Sequence, residues 1–166
     1  MKKRLSISSA LGTFVLEGTE EALTALYLPG RDTGSAPFGE SPLLLRGAAE
    51  LTEYLSGRRR TFDLPLSPGG TPFQRQVWEA LTAIPYGETR TYGEVAAAIG
   101  RPRAVRAVGQ ADHRNPLPIL IPCHRVVGAD GSLTGYAGGV ERKQRLLIHE
   151  GVDVSRFSVP KRGSAL

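Results

Sequence analysis

Cys123 is the only thiol in the chain and His124 follows it directly, within Ile121-Pro122-Cys123-His124-Arg125-Val126-Val127. A thiol attacks as its thiolate, and a nearby base, cation or helix N-terminus can bring its pKa toward neutrality. The pair therefore points to nucleophilic chemistry at sulfur with an imidazole as base. A lone cysteine is also, and more often, a small buried hydrophobe. The flanks favour the reactive reading. The apolar run Leu117-Pro118-Ile119-Leu120-Ile121 predicts a short buried strand that stops at Pro122, so Cys123 emerges where a ladder cannot continue.

Composition narrows the chemistry. A single cysteine excludes an internal disulfide, and histidines at 113, 124 and 149 have no zinc-ligand spacing, so neither a metal nor a cofactor is expected. The basic start Met1-Lys2-Lys3-Arg4 is followed by no apolar stretch of a signal peptide, and no run reaches the roughly eighteen apolar residues of a membrane span. A soluble protein of the reducing cytoplasm, with no membrane partner, is expected. The net charge of +5 and sequence pI of about 9.7 suit a partner rich in phosphate. Part of that excess lies in Arg58-Arg59-Arg60 and Lys161-Arg162, where a solvated surface is the plainer reading.

The elements that must position the thiol are marked by turn and capping signals. Residues 4–9, 13–17 and 22–28 alternate or run apolar between Gly12, Gly18-Thr19 and Pro29-Gly30, which predicts a small antiparallel sheet. Leu44, Leu45, Ala48, Leu51, Tyr54 and Leu55 recur at helical spacing before Gly57. Proline and glycine across 57–70 read as a linker with one short strand near 61–64. Thr71-Pro72-Phe73-Gln74 and Thr91-Tyr92-Gly93-Glu94 each combine an N-cap hydroxyl with Gln or Glu three residues on, a capping box that starts a helix. The second of these helices stops at Gly100, and another is expected over 103–111, carrying Arg103 and Arg106 with Arg101 just ahead. Helix, glycine turn and helix with small residues at the crossing is a helix-turn-helix pattern, and it fits an ordinary packed αα-hairpin equally well. A hairpin at 128–133, a glycine-rich loop at 134–139 and a final helix over 140–149, closed by Glu150-Gly151, complete the pattern. The expected organisation is an α/β (α+β) N-terminal domain over 1–66, a linker at 67–71, a mainly helical C-terminal domain with a helix-turn-helix over 72–152, and a flexible tail over 153–166.

Several of these segments together resemble the O6-alkylguanine-DNA alkyltransferases. The resemblance rests on Pro85-Tyr86-Gly87-Glu88-Thr89, Thr91-Tyr92-Gly93-Glu94-Val95-Ala96, Arg106-Ala107-Val108-Gly109, Asn115-Pro116, residues 119–127, Gly135-Tyr136, Gly138-Gly139 and His149-Glu150-Gly151. It runs in continuous register over about 72–152. It implies an irreversible direct repair in which the cysteine takes an alkyl group from O6 of guanine, and from O4 of thymine, in duplex DNA. An SN2 attack of this kind needs a thiolate, an in-line approach and neutralisation of the leaving base, with no redox partner. A thioether has no hydrolytic exit, so one protein would act once.

The resemblance also implies roles. Cys123 matches the acceptor, His124 the base acting through a water, and Glu150 the carboxylate that orients the imidazole, a relay similar in logic to hydrolytic triads. Asn115 matches an amide holding the active-site turn, and Tyr92 the phenol that donates a proton to the leaving guanine. Taken alone, Glu150 reads as a solvated charge at a helix end and Tyr92 as a packing residue. Arg106 matches the arginine that fills the stack after the base is flipped out, which costs a few kcal/mol of unstacking. Arg101, Arg103, Arg125, Ala104, Ala107 and Gly109 are expected at a minor-groove DNA surface, where the base pattern is degenerate. Pro118, Val126, Tyr136, Ala137 and Gly138 are expected to line the substrate pocket. Several members carry serine where this chain has Ala137, some have glycine in place of Gln110, and some bind a structural zinc whose ligands are missing here. No obligate protein partner is implied, and cooperative binding along DNA fits the family. Alkyltransferase-like proteins that replace the cysteine and only bind lesions are the nearest rival reading, and a transcriptional helix-turn-helix regulator a more distant one.

Overall fold

Three antiparallel strands open the chain in a computed structural model that describes residues 1–133 and 139–158. β1 (Lys3–Ser9), β2 (Gly12–Gly18) and β3 (Leu23–Tyr27) pair in sequence order, with Leu5 opposite Leu16 and Leu16 opposite Leu26. The sheet buries Leu16, Leu23 and Leu26 beneath α1 (Pro42–Leu55), which contributes Leu44, Leu51 and Tyr54. Ser41 caps α1 by accepting from the Leu44 N–H, and Pro42 occupies the first turn, where its missing N–H costs nothing. Gly47 lets helix and sheet approach closely, since a Cβ there would stand 2.6 Å from Leu16 Cδ2.

The stretch at 61–64, expected to hold a short strand, forms no strand pairing. Pairing comes one turn later, where Leu66 bridges Leu23 through the Leu23 N–H to Pro65 O and Ser67 N–H to Leu23 O bonds. Two compact units emerge: Met1–Gly69 with Pro116–Leu120, and Gly70–Asn115 with Ile121–Leu166. The inclusion of Pro116–Leu120 in the first unit is not foreshadowed by sequence continuity. It follows from a backbone bond, Leu26 N–H to Pro116 O at 2.8 Å. This segment is also no strand. It turns through Ile119, which is buried with φ of +73°, a left-handed conformation that costs a β-branched residue of order 1–3 kcal/mol. An apolar run cannot by itself distinguish a buried strand from a buried turn.

In the second unit, α2 (Pro72–Thr82) and α3 (Tyr92–Ala98) begin with complete capping boxes at Thr71/Gln74 and Thr91/Glu94. A turn through Gly100, at φ +75°, leads into α4 (Val105–His113). This helix starts two residues later than expected: residues 101–104 form a turn closed by Ala104 N–H to Arg101 O, so Arg101 and Arg103 precede the helix. Both α2 and α3 pack against α4, and Trp78 of α2 donates its Nε1–H to Ala111 O at 2.8 Å. β4 (Arg90–Thr91) pairs in parallel with β5 (Val126–Val127). After a turn closed by Gly128 N–H to Ser132 O, α5 (Val140–His149) covers a cluster of Val127, Leu133, Leu147 and Val152. The expected tail is structured at its start. Residues 154–156 form a 3-10 turn, Phe157 packs on that cluster, and Ser158 bridges Ser132. Residues 159–166 lie outside the described residues. Among the described residues the chain is thus mixed α/β, with five α-helices, a three-stranded sheet and a two-stranded parallel pair.

Candidate functional site

Cys123, His124 and Arg125 form a single 3-10 turn, and all three are buried. Pro122 cannot donate to a ladder, so the chain leaves the preceding turn here and closes on itself through Arg125 N–H to Pro122 O at 3.0 Å. Asn115 holds this turn from the end of α4, its Nδ2 donating to Ile121 O at 2.8 Å.

Glu150, at the C-terminus of α5, collects three charge-assisted contacts. His124 Nε2 lies 2.7 Å from Oε2, Arg125 Nε donates to Oε1 at 2.8 Å, and Arg125 Nη2 donates to Oε2 at 2.9 Å. Arg125 completes its fork with Nη1 on Ile84 O at 2.7 Å. A carboxylate can only accept, so Nε2 carries the proton and Nδ1 is the lone-pair nitrogen of a neutral imidazole. Burial pushes the His124 pKa down and outweighs the raising effect of Glu150, while the Arg125 and Lys143 charges lower it further. Nδ1 meets no hydrogen-bond partner among the described residues. The arrangement supplies a fixed, neutral, unprotonated nitrogen next to the cysteine in sequence.

The surroundings of the thiol favour its protonated form. Cys123 is 3% exposed, and burial pushes its pKa well above the usual thiol range; the Asp112 charge pushes the same way, and Asn115 and Lys143 oppose it. Desolvation here outweighs the lowering by the neighbours. Tyr92, at the start of α3, is likewise held in its protonated form by burial, Asp112 and Cys123. Gly109 of α4 lies behind it, since a Cβ there would stand 3.9 Å from the Tyr92 ring.

The residues expected at a DNA surface divide. Arg101, Arg103, Arg106 and Ala107 are exposed, with Ala104 and Gly109 half-buried beside them. Arg101 lies over the Phe73 ring at 5.7 Å. Arg125 is not with them. Its guanidinium is buried against Glu150 and Ile84, so it holds the relay rather than facing outward, a role that no sequence signal marks because its partner lies 25 residues away. Of the expected pocket residues, Val126 is fully buried in β5 and Pro118 belongs to the first unit. Tyr136, Ala137 and Gly138 lie outside the described residues. In the second unit two buried ionisable groups carry no sequence signal, Asp112 on α4 and Lys143 on α5. Among the described residues no cluster of three or more His, Cys, Asp or Glu could hold a metal, and no helix is long and apolar enough to cross a membrane.

Residues 72–152 match the family described as 6-O-methylguanine DNA methyltransferase, DNA binding domain. The chain is 52% identical over 145 residues to the methylated-DNA–protein-cysteine methyltransferase of Methanosarcina barkeri, covering 85% of this chain and 92% of that one. It is 47% identical over 146 residues to the constitutive methylated-DNA–protein-cysteine methyltransferase of Bacillus subtilis, covering 84% and 88%. Its structure is similar to that of Mycobacterium tuberculosis OGT crystallised in complex with DNA, with a TM-score of 0.83, 42% identity, and coverage of 93% and 94%.

Proposed function

Because the chain belongs to the methylated-DNA–protein-cysteine methyltransferase family, we propose that Cys123 removes the alkyl group from O6-alkylguanine, and from O4-alkylthymine, in duplex DNA and keeps it as a thioether. The observation that carries this reading is the buried relay in which Glu150 fixes the Nε2–H of His124 at 2.7 Å and leaves Nδ1 as the base of the cysteine turn. His124 takes the thiol proton through a water. The sulfur forms a bond to the alkyl carbon as the carbon–O6 bond breaks, and the electron pair leaves with the guanine. Tyr92, a phenol held protonated by its surroundings, returns a proton to that base. Overall one proton passes from sulfur to guanine, leaving an imidazolium and a phenolate whose charges cancel. Asn115 holds the turn that presents the sulfur.

The second unit is proposed as the DNA-binding domain, with α3, the turn at Gly100 and α4 as its helix-turn-helix in the minor groove. The exposed arginines support this. Arg101 and Arg103 contact phosphates, and the small residues Ala104, Ala107 and Gly109 allow close approach to the sugar edges. Arg106 fills the gap left by the flipped base. Tyr136, Ala137 and Gly138 stay proposed contacts of the guanine, on the family resemblance.

Intact-protein mass spectrometry after incubation with a duplex holding one O6-methylguanine tests the reading. One methyl group per protein, mapped to Cys123, is expected, with no further turnover. An unmodified protein, or methylation elsewhere, refutes it.

A further inference from the structure

The segment 84–87, between α2 and β4, supplies none of the reacting groups and yet touches the relay repeatedly. Ile84 O accepts from Arg125 Nη1 at 2.7 Å. The centre of the Tyr86 ring lies 5.7 Å from Arg125 Cζ, and the Tyr86 hydroxyl donates to the carbonyl of His149, the last residue of α5, at 3.3 Å. Gly87 N–H donates to Glu150 Oε1 at 3.4 Å. The backbone is shaped for these contacts. Glu88 N–H closes a turn on Pro85 O at 3.1 Å, and Gly87 stands in it at φ +80°, a left-handed conformation that favours glycine. A Cβ at Gly87 would lie 3.2 Å from Glu150 O. Beyond the turn, β4 pairs with β5, the strand that continues directly from Arg125.

We propose that Tyr86 is a positioning residue for alkyl transfer: its ring backs the guanidinium of Arg125, keeps that fork on Glu150, and through Glu150 fixes the ring of His124. The inference rests on the reading of Cys123 as the acceptor and His124 as its base. The guanidinium spends its N–H groups in its own plane, Nε and Nη2 on Glu150 and Nη1 on Ile84 O. Its flat faces can donate nothing, and the negative face of an aromatic ring is the surface that suits them. Half-buried Tyr86 offers that surface beside a charge that is otherwise buried. Its hydroxyl ties the same side chain to the end of α5, the helix that presents Glu150.

The alternative is that Tyr86 only fills space beside α5. Packing depends on the shape of the ring, whereas a hold on Arg125 depends on its charge distribution. The two also differ in what they do to His124. The groups acting on that imidazole are Glu150 and Lys143 from α5 and Arg125 from its own turn: burial does most to hold its pKa down, the Arg125 and Lys143 charges add to this, and Glu150 opposes them. A loosened Arg125 leaves Glu150 freer to favour the imidazolium.

The test changes the electrons of the ring and keeps its shape. Tyr86→Phe, Tyr86→difluorophenylalanine and Tyr86→pentafluorophenylalanine, the fluorinated residues introduced by nonsense suppression, form a series in the full-length protein. Fluorine progressively withdraws the negative charge of the ring face and, in the fully fluorinated ring, reverses it. Single-turnover methyl transfer from an O6-methylguanine duplex is measured across pH, with circular dichroism confirming each fold. Tyr86→Phe, which loses the hydroxyl and keeps the ring face, is expected to stay close to the wild-type rate. Tyr86→pentafluorophenylalanine is expected to react about tenfold more slowly than Tyr86→Phe, the size of a partly desolvated cation–π contact, with the difluoro variant between them. The acid limb of the profile is expected to move to higher pH along the series. Equal rates across the ring variants overturn the proposal, and so does slowing with an unmoved acid limb, because the effect would not then pass through Arg125. If the pentafluoro variant fails to fold, the difluoro variant decides alone: slowing relative to Tyr86→Phe supports the inference, and no change refutes it. A wild-type protein that takes no methyl group refutes the acceptor reading and this proposal with it, whereas a reactive wild type with equal ring variants refutes the proposal alone.

Discussion

The clamp of Arg125 on Glu150 makes a prediction with both a size and a sign. Arg125→Met keeps the length of the side chain and removes its charge. Three donors disappear: two from Glu150 and one from Ile84 O. Glu150 is left as a buried carboxylate facing His124, and breaking a buried pair in this way costs about 3–5 kcal/mol. For a chain of this length that corresponds to a fall in Tm of roughly 6–20 °C.

The pH dependence follows from His124. In the wild type its pKa is lowered, chiefly by burial and in part by Arg125, so the folded protein binds this proton more weakly than the unfolded chain does. Stability from this group is fully present above the unfolded histidine value, about 6.5, and is lost as pH falls below it. In Arg125→Met the unopposed Glu150 favours the imidazolium and raises the His124 pKa. The variant then loses less on acidification than the wild type does. Its deficit is expected to be largest at pH 8 and to narrow at pH 5.5, by at most about 1.4 kcal/mol for each unit by which its His124 pKa exceeds that of the wild type. Thermal unfolding followed by circular dichroism at the two pH values measures this directly. A deficit that stays constant or widens on acidification would refute the electrostatic coupling, and an unchanged Tm would refute the clamp.

Other outcomes follow from the same geometry. Glu150→Gln removes the charge that makes Nδ1 basic, so single-turnover transfer should slow by roughly a hundredfold, the lower end of the range typical of general-base catalysis; an unchanged rate in a folded variant would remove Glu150 from the relay. Cys123→Ser should abolish methyl transfer while binding methylated duplex normally in a gel-shift titration, because a serine hydroxyl is far too weak an acid. Arg106→Ala should slow repair in duplex DNA while reacting normally with free O6-benzylguanine, and equal slowing on the free base would assign Arg106 to the fold or pocket instead. Arg103→Ala should lower the salt slope of DNA binding by about one, as loss of a single phosphate contact does.

What could be read from the chain and what could not divide along the range of the interactions. The capping boxes at Thr71 and Thr91 were legible because donor and acceptor lie three residues apart, and both formed as expected. The helix over 140–149 was legible from its glycine flanks. The start of α4 was misplaced because Ala104 offers no capping side chain, so no local signal separates the turn at Arg101 and Arg103 from the helix that follows. The left-handed turn at Ile119 is not legible because its apolar neighbours describe burial but not φ.

The thiol shows the limit most clearly. Its adjacent residues suggest an activated cysteine, yet its protonation is set by burial and by groups far away in the chain, Asp112 on α4 and Lys143 on α5. In the string Val140-Glu141-Arg142-Lys143-Gln144-Arg145, Lys143 is one of several charged residues and reads as solvated surface. Only the packing of α5 shows that this lysine alone has no exposed surface.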